Sequence, residues 1–132
     1  MVSARPDFAF QHEIVERLFL GSWKAAYDQP LLEELKINHI LSLGKEPSFL
    51  PVSKFKRMFI DIPDRDNEDL GQHFEKAVEF IDNAIESGGT ILVHCIAGVS
   101  RSASCVIAYL MKKRGMSLDE ALAHTKSRRP AV

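Results

Sequence analysis

The sequence predicts an α/β fold, with a central, mostly parallel, twisted sheet flanked by helices. Three observations carry that expectation. Segments of strand and helix character alternate along the chain. The run Ile91-Leu92-Val93, opened by Thr90, is continuously apolar, which suits a strand covered on both faces. Phe74, Val78, Ile81 and Ile85 recur at three- and four-residue steps, the stripe of a helix with one buried side.

Taken in order, residues 1–11 read as a loose, polar lead-in. Ile14-Val15-Glu16 and Leu18-Phe19-Leu20 are two short strands, ended by Gly21-Ser22. Residues 23–36 are helical in two pieces, broken near Pro30, with Leu31, Leu32 and Leu35 on one face. His39-Ile40-Leu41-Ser42-Leu43 is a buried strand closed by Gly44, and the stretch 46–54, with two prolines, is a loop. Residues 57–62 alternate Phe59 and Asp61 against Met58, Ile60 and Ile62, a strand that Pro63 ends. An acidic loop at 64–69 leads into an amphipathic helix over 70–86, which Gly88-Gly89 stops. A glycine-containing loop follows the apolar strand. The helix after it covers 102–114, with Val106, Ile107 and Leu110 inward and Gly115 as its stop. Ser117-Leu118-Asp119-Glu120 is a capping-box start for a last helix that runs to about Ser127, before Pro130.

A chain of 132 residues with no internal repeat is expected to form one domain, 1–132. Its 45% hydrophobic and 27% charged residues match a packed globular protein. A formal net charge of −1 gives no whole-molecule reason to expect nucleic acid or an anionic membrane as partner. The local basic cluster Lys126, Arg128 and Arg129 reads as a solvated helix end favoured by the dipole, with a docking patch for a phosphoprotein as the alternative. Two cysteines, Cys95 and Cys105, make neither a disulfide framework nor a structural zinc set, so a reducing compartment, cytoplasmic or nuclear, is expected. No apolar run approaches the ~18–20 residues that span a bilayer. The start lacks a signal-peptide core, and Val2 stands where myristoylation needs glycine.

The chemistry concentrates in His94-Cys95-Ile96-Ala97-Gly98-Val99-Ser100-Arg101-Ser102. In α/β sheets ligands bind beyond the carboxyl ends of strands, and this loop lies there, between a buried strand and a helix N-terminus. Its amides from Ile96 to Arg101 can curl around an anion, with Ala97 and Gly98 permitting the turn. The helix adds unpaired N–H groups and a positive dipole end. Arg101 adds a planar fork able to hold two phosphate oxygens. Cys95, at the base of this cradle, is favoured as a thiolate. Ser102 is placed to donate a hydrogen bond toward the sulfur. His94 is expected to orient the loop and not to act as a base. Cys105, among Val106 and Ile107, reads as a small core residue.

At these residues the chain resembles the protein tyrosine phosphatase superfamily, and Ala97-Gly98-x-Ser100-Arg101-Ser102 is similar to its dual-specificity branch. The resemblance extends over nearly the whole chain from about residue 12. It implies a phosphatase-like fold with a strand–phosphate loop–helix core. It also implies Cys95 as nucleophile, residues 96–101 as the phosphate-binding loop, and a phosphocysteine intermediate, with no metal or cofactor. The expected substrate is a phosphorylated protein, carrying phosphotyrosine or phosphoserine/phosphothreonine, and a monomer is expected. Lysines in the loop mark relatives that act on phosphoinositides, whereas Ile96 and Val99 here are apolar. A phosphate-reading pseudophosphatase or binding module is the rival reading. A sulfur- or arsenate-handling enzyme is disfavoured by the Ser100-Arg101-Ser102 context.

The reaction also needs a proton for the leaving oxygen, and Asp61, Asp64, Asp66 and Asp69 compete to give it. Asp61 falls within the strand pattern and should face solvent, while Asp69 suits a helix N-cap. The family places its acid just after this strand, ahead of a leucine and then an aromatic. Asp64, followed by Leu70 and Phe74, matches that spacing; counting forward from Ile62-Pro63 favours Asp66 instead. The family also continues past the equivalent of Val132 with an Asn-Pro-Asn-like segment and a last helix beside the phosphate loop, so support of the loop from that side is expected to be missing.

Overall fold

A computed structural model describes residues 11–44, 55–61, 70–96 and 100–132. Five strands make one sheet: β1 (Gln11–Val15), β2 (Leu18–Gly21), β3 (His39–Leu43), β4 (Lys56–Ile60) and β5 (Ile91–His94), in the order β1-β2-β5-β3-β4. β2, β5, β3 and β4 are parallel, and β1 is antiparallel at one edge. Every residue of β3 and of β5 is buried. Two-sided cover explains their unbroken apolar character, as the sequence implied.

Two layers of helix provide that cover. On one face lie α1 (Trp23–Ala26) and α2 (Gln29–Glu34), packing Ala25, Ala26 and Leu32 against Ile40 and Leu92. On the other lie α3 (Phe74–Glu86), α4 (Arg101–Arg114) and α5 (Leu118–Arg128), which bury Val78, Ile81, Val106, Leu110 and Ala121 against Leu20, Leu41 and Val93. Burying each large aliphatic side chain contributes about 1.5–3 kcal/mol. Tyr109, which the sequence reading did not single out, is 1% exposed within this larger core. Its hydroxyl accepts a hydrogen bond from Arg114 Nε at 3.2 Å.

Local chemistry sets the ends of the elements. The break after α1 falls at Tyr27-Asp28, ahead of Pro30. Asp28 Oδ1 accepts the Leu31 N–H at 3.1 Å, and Pro30 sits in the first turn of α2, where its missing N–H is no loss. Pro30 therefore starts a helix instead of breaking one. The expected helix over 70–86 opens as a 3-10 turn, Leu70–His73, and becomes α-helical at Phe74. The strand expected over 57–62 is observed as Lys56–Ile60, with Asp61 exposed beyond it and Ile62 outside the described residues. Met58 and Ile60 face the larger core, while Phe59 is 40% exposed on the opposite face. The capping box at Ser117 and Glu120 forms in full, at 2.8 and 3.1 Å. Arg17, in the β1–β2 turn, donates from Nη1 to the carbonyls of Ile85 and Gly89 and so satisfies acceptors beside the end of α3.

α4 stops at Gly115, which has φ +70°, and a Cβ added there would meet nothing within 4 Å. Substitution by alanine therefore tests backbone conformation alone. Gly115→Ala is expected to lower stability by about 1 kcal/mol in urea unfolding; an unchanged midpoint would show that the left-handed turn imposes no strain.

Candidate active site

β5 delivers His94 and Cys95 to the carboxyl end of the sheet, and α4 begins at Arg101. Cys95 is 2% exposed, Arg101 8% and Ser102 fully buried. Cys95 Sγ lies 3.1 Å from Ser102 Oγ. Ser100, the residue before α4, makes no side-chain cap, and the first turn carries no acidic residue. The positive end of a fourteen-residue helix is thus directed at the loop with no carboxylate of its own first turn to neutralise it. Ile96 is 47% exposed, and its carbonyl accepts the Trp23 N–H at 3.1 Å, tying the start of the loop to α1. Ala97, Gly98 and Val99 lie outside the described residues, as do Asp64, Asp66 and Asp69.

His94 is fully buried, and its Nε2 shares a 2.7 Å hydrogen bond with Ser42 Oγ on the neighbouring strand. The two are register partners across the β3–β5 ladder. Burial pushes the His94 pKa down to about 4, only partly offset by the Cys95 backbone. The ring is therefore neutral at physiological pH. Among the described residues its Nδ1 has no well-aligned hydrogen bond. Ser42 was not anticipated as a site residue. The signal available was a lone hydroxyl inside an otherwise apolar, fully buried strand, a group that needs a partner.

Burial, together with the nearby Cys95, pushes the Cys105 thiol up to about 12, which keeps it protonated and inert, as its helical setting implied. The reading of 126, 128 and 129 as a solvated helix end needs correction. Lys126 is exposed, but Arg128 Nε donates to the Glu13 carbonyl at 2.8 Å, and Arg129 is only 5% exposed. Pro130 ends the helix and turns Arg129 back onto β1, an effect of tertiary packing that composition does not reveal. No group of three or more His, Cys, Asp or Glu among the described residues is arranged to hold a metal ion. None of the described helices is long and apolar enough to cross a membrane.

The His94 shift has a measurable consequence. Its folded pKa lies below the ordinary value of 6.5, so the unfolded chain binds more protons as pH falls. Stability should be lost between about pH 6.5 and about pH 4, on the order of 3 kcal/mol in total. His94→Asn keeps a polar partner for Ser42 but does not titrate. Urea unfolding should show the wild-type chain losing that much more than the variant over this range; parallel losses would place the titration elsewhere.

Comparison with known proteins agrees with this geometry. The family described as "Dual specificity phosphatase, catalytic domain" matches residues 18–132. Dual specificity protein phosphatase 1 of Arabidopsis thaliana is 40% identical over 119 residues, which is 90% of this chain and 60% of that protein. Human Dual specificity protein phosphatase 16 is 38% identical over 122 residues, 90% of this chain but 18% of the human protein. The chain thus spans well under the full length of both relatives. Among solved structures, a mouse dual specificity phosphatase complexed with zinc tungstate covers 100% of this chain, and the match covers 81% of the mouse chain, with a TM-score of 0.87 at 32% identity. Most of the sequence and the whole sheet therefore agree on one assignment: the chain belongs to the dual specificity phosphatase catalytic-domain family.

Proposed function

We propose that this chain is a protein phosphatase that hydrolyses phosphotyrosine and phosphoserine/phosphothreonine through a phosphocysteine intermediate. One observation carries the reading: the buried sulfur of Cys95 at the carboxyl end of β5, 3.1 Å from Ser102 Oγ, beside the buried Arg101 that opens α4. The tungstate in the mouse relative's structure, a tetrahedral oxyanion, supports an oxyanion site in this fold.

In the proposed reaction the Cys95 thiolate attacks phosphorus, an S–P bond forms, and the P–O bond to the substrate breaks. The loop amides of 96–101 and the Arg101 guanidinium hold the equatorial oxygens as charge shifts. Asp64 gives its proton to the departing oxygen. Its carboxylate then takes a proton from water, which attacks phosphorus and expels the Cys95 thiolate, while Ser102 O–H stabilises the sulfur as it leaves. The assignment of Asp64 over Asp66 rests on spacing to Leu70 and Phe74. His94, buried and neutral, orients the strand end and moves no proton. Neither cysteine is in a disulfide and both are buried, which supports a reducing cytoplasmic or nuclear setting. The proposed working form is a monomer acting on phosphoprotein, without nucleic acid.

Hydrolysis of an aryl phosphate, inhibited by vanadate, is the direct assay. Cys95→Ser should lose all turnover yet still bind oxyanions; residual full activity would remove the nucleophile. Asp64→Ala should slow cleavage of a phosphopeptide by about 10²-fold or more, with Asp66→Ala close to wild type. Reversed effects would assign the proton to Asp66. A Ser102→Ala chain should show a burst of released alcohol followed by slow turnover, because only loss of sulfur from phosphorus is impaired. Failure of the wild-type chain to turn over, with oxyanion binding intact, would establish a phosphate-reading module instead.

A further inference from the structure

We propose that Arg129 is a second fixed cation acting on the Cys95 thiolate, and that His12, on the far edge of the sheet, is the residue that positions it. The inference rests on the reading of Cys95 as nucleophile and adds to it a source of charge outside the phosphate loop.

The placement follows from the chain's own geometry. Arg129 leaves helix α5 with φ −132°, its N–H still donating to the Thr125 carbonyl at 2.8 Å. Its side chain is then carried onto β1, where Nη1 meets His12 Nδ1 at 2.8 Å. A guanidinium has only donors, so His12 Nδ1 must accept, and the imidazole in this contact is neutral with its proton on Nε2. Two further contacts fix the helix to the same strand. His124 Nε2 lies 2.6 Å from the Ile14 carbonyl, and Arg128 Nε donates to the Glu13 carbonyl at 2.8 Å. Three successive residues of the edge strand, 12 to 14, are thus gripped from α5.

Register aligns that grip with the thiol. His12 pairs with Leu20, and Leu20 pairs with Val93, so the three share one face of the sheet. Cys95, two residues beyond Val93, belongs to the core on that face. His12 stands two strands from Val93, about 10 Å. Burial pulls the Arg129 pKa below its ordinary value, and among the described residues Cys95 pushes it back up. That coupling is reciprocal, so a charged Arg129 favours the ionised sulfur. Of the other described charged groups here, Arg101 on α4 adds to the positive field and Arg128 is exposed. Glu13 Oε2 accepts the Arg17 N–H at 2.9 Å. An arginine buried this deeply does not serve as an open docking surface, and its field acts inward.

The test is the pH dependence of Cys95 alkylation by iodoacetamide, with the labelled peptide identified by mass spectrometry. Arg129→Met should raise the midpoint by about 0.5–1 unit, whereas Lys126→Met, which removes an exposed charge from the same helix, should not move it. His12→Ala should shift it in the same direction, and His12→Gln, whose Oε1 can still accept from Arg129, should restore it. An unchanged midpoint in folded Arg129→Met would overturn the proposal. Should Arg129→Met lose its folded circular-dichroism spectrum, the His12 pair decides, and a midpoint that moves in neither variant overturns it. A wild-type midpoint at the ordinary thiol value of about 8.5 would instead strike the nucleophile assignment and this inference with it.

Discussion

The two-sided burial of β5 is the constraint on which the rest depends. A strand flanked by β2 and β3, with helices above and below, has its end fixed in all directions. Cys95 follows that end by one residue, so the position of the sulfur is set by sheet packing and not by the loop it opens. The Ser42–His94 hydrogen bond locks the last rung, because it pairs a buried imidazole Nε2 with a buried hydroxyl. Trp23, through its bond to the Ile96 carbonyl, holds the first step of the loop from the opposite face. Rigid elements thus position the thiol, and the helix N-terminus supplies the field around it.

Charge and exposure are divided to match. Arg101 at the start of α4 and Arg129 at the end of α5 are both buried, and burial holds Cys105 as an inert thiol. Both sulfurs belong to the same core, and burial removes that of Cys105 from chemistry. α5 closes the larger core with Ala121 and, through residues 124, 128 and 129, clasps the antiparallel edge strand.

Much of this was legible in the sequence wherever the controlling physics is local. The amphipathic stripe of α3, the continuous apolar run of β5, the capping box at Ser117 and the glycine stop at Gly115 each record a short-range rule, and each appears in the structure. The place proposed for an anion cradle, the glycine-containing loop between a buried strand and a helix, is likewise read from short-range sequence features, and its middle residues lie outside the described ones. What the sequence did not disclose depends on register and packing between distant segments. Ser42 and His94 are 52 residues apart, and His12 and Arg129 are 117 apart. A charged residue near a helix end reads as solvated until the strand that covers it is placed, and Arg129 is such a residue. The 3-10 opening at Leu70–His73 and the role of Pro30 as a starter were lost for a similar reason, since turn geometry shifts element ends by a few residues without altering the hydrophobic pattern.

The central claim is that Cys95 forms a covalent bond to phosphorus during turnover. Acid quenching of the wild-type chain during steady hydrolysis, followed by mass spectrometry of its peptides, tests this most directly. The account predicts a phosphoryl adduct on the peptide containing Cys95 and none on the peptide containing Cys105. Turnover without any adduct, or an adduct on another side chain, would contradict it.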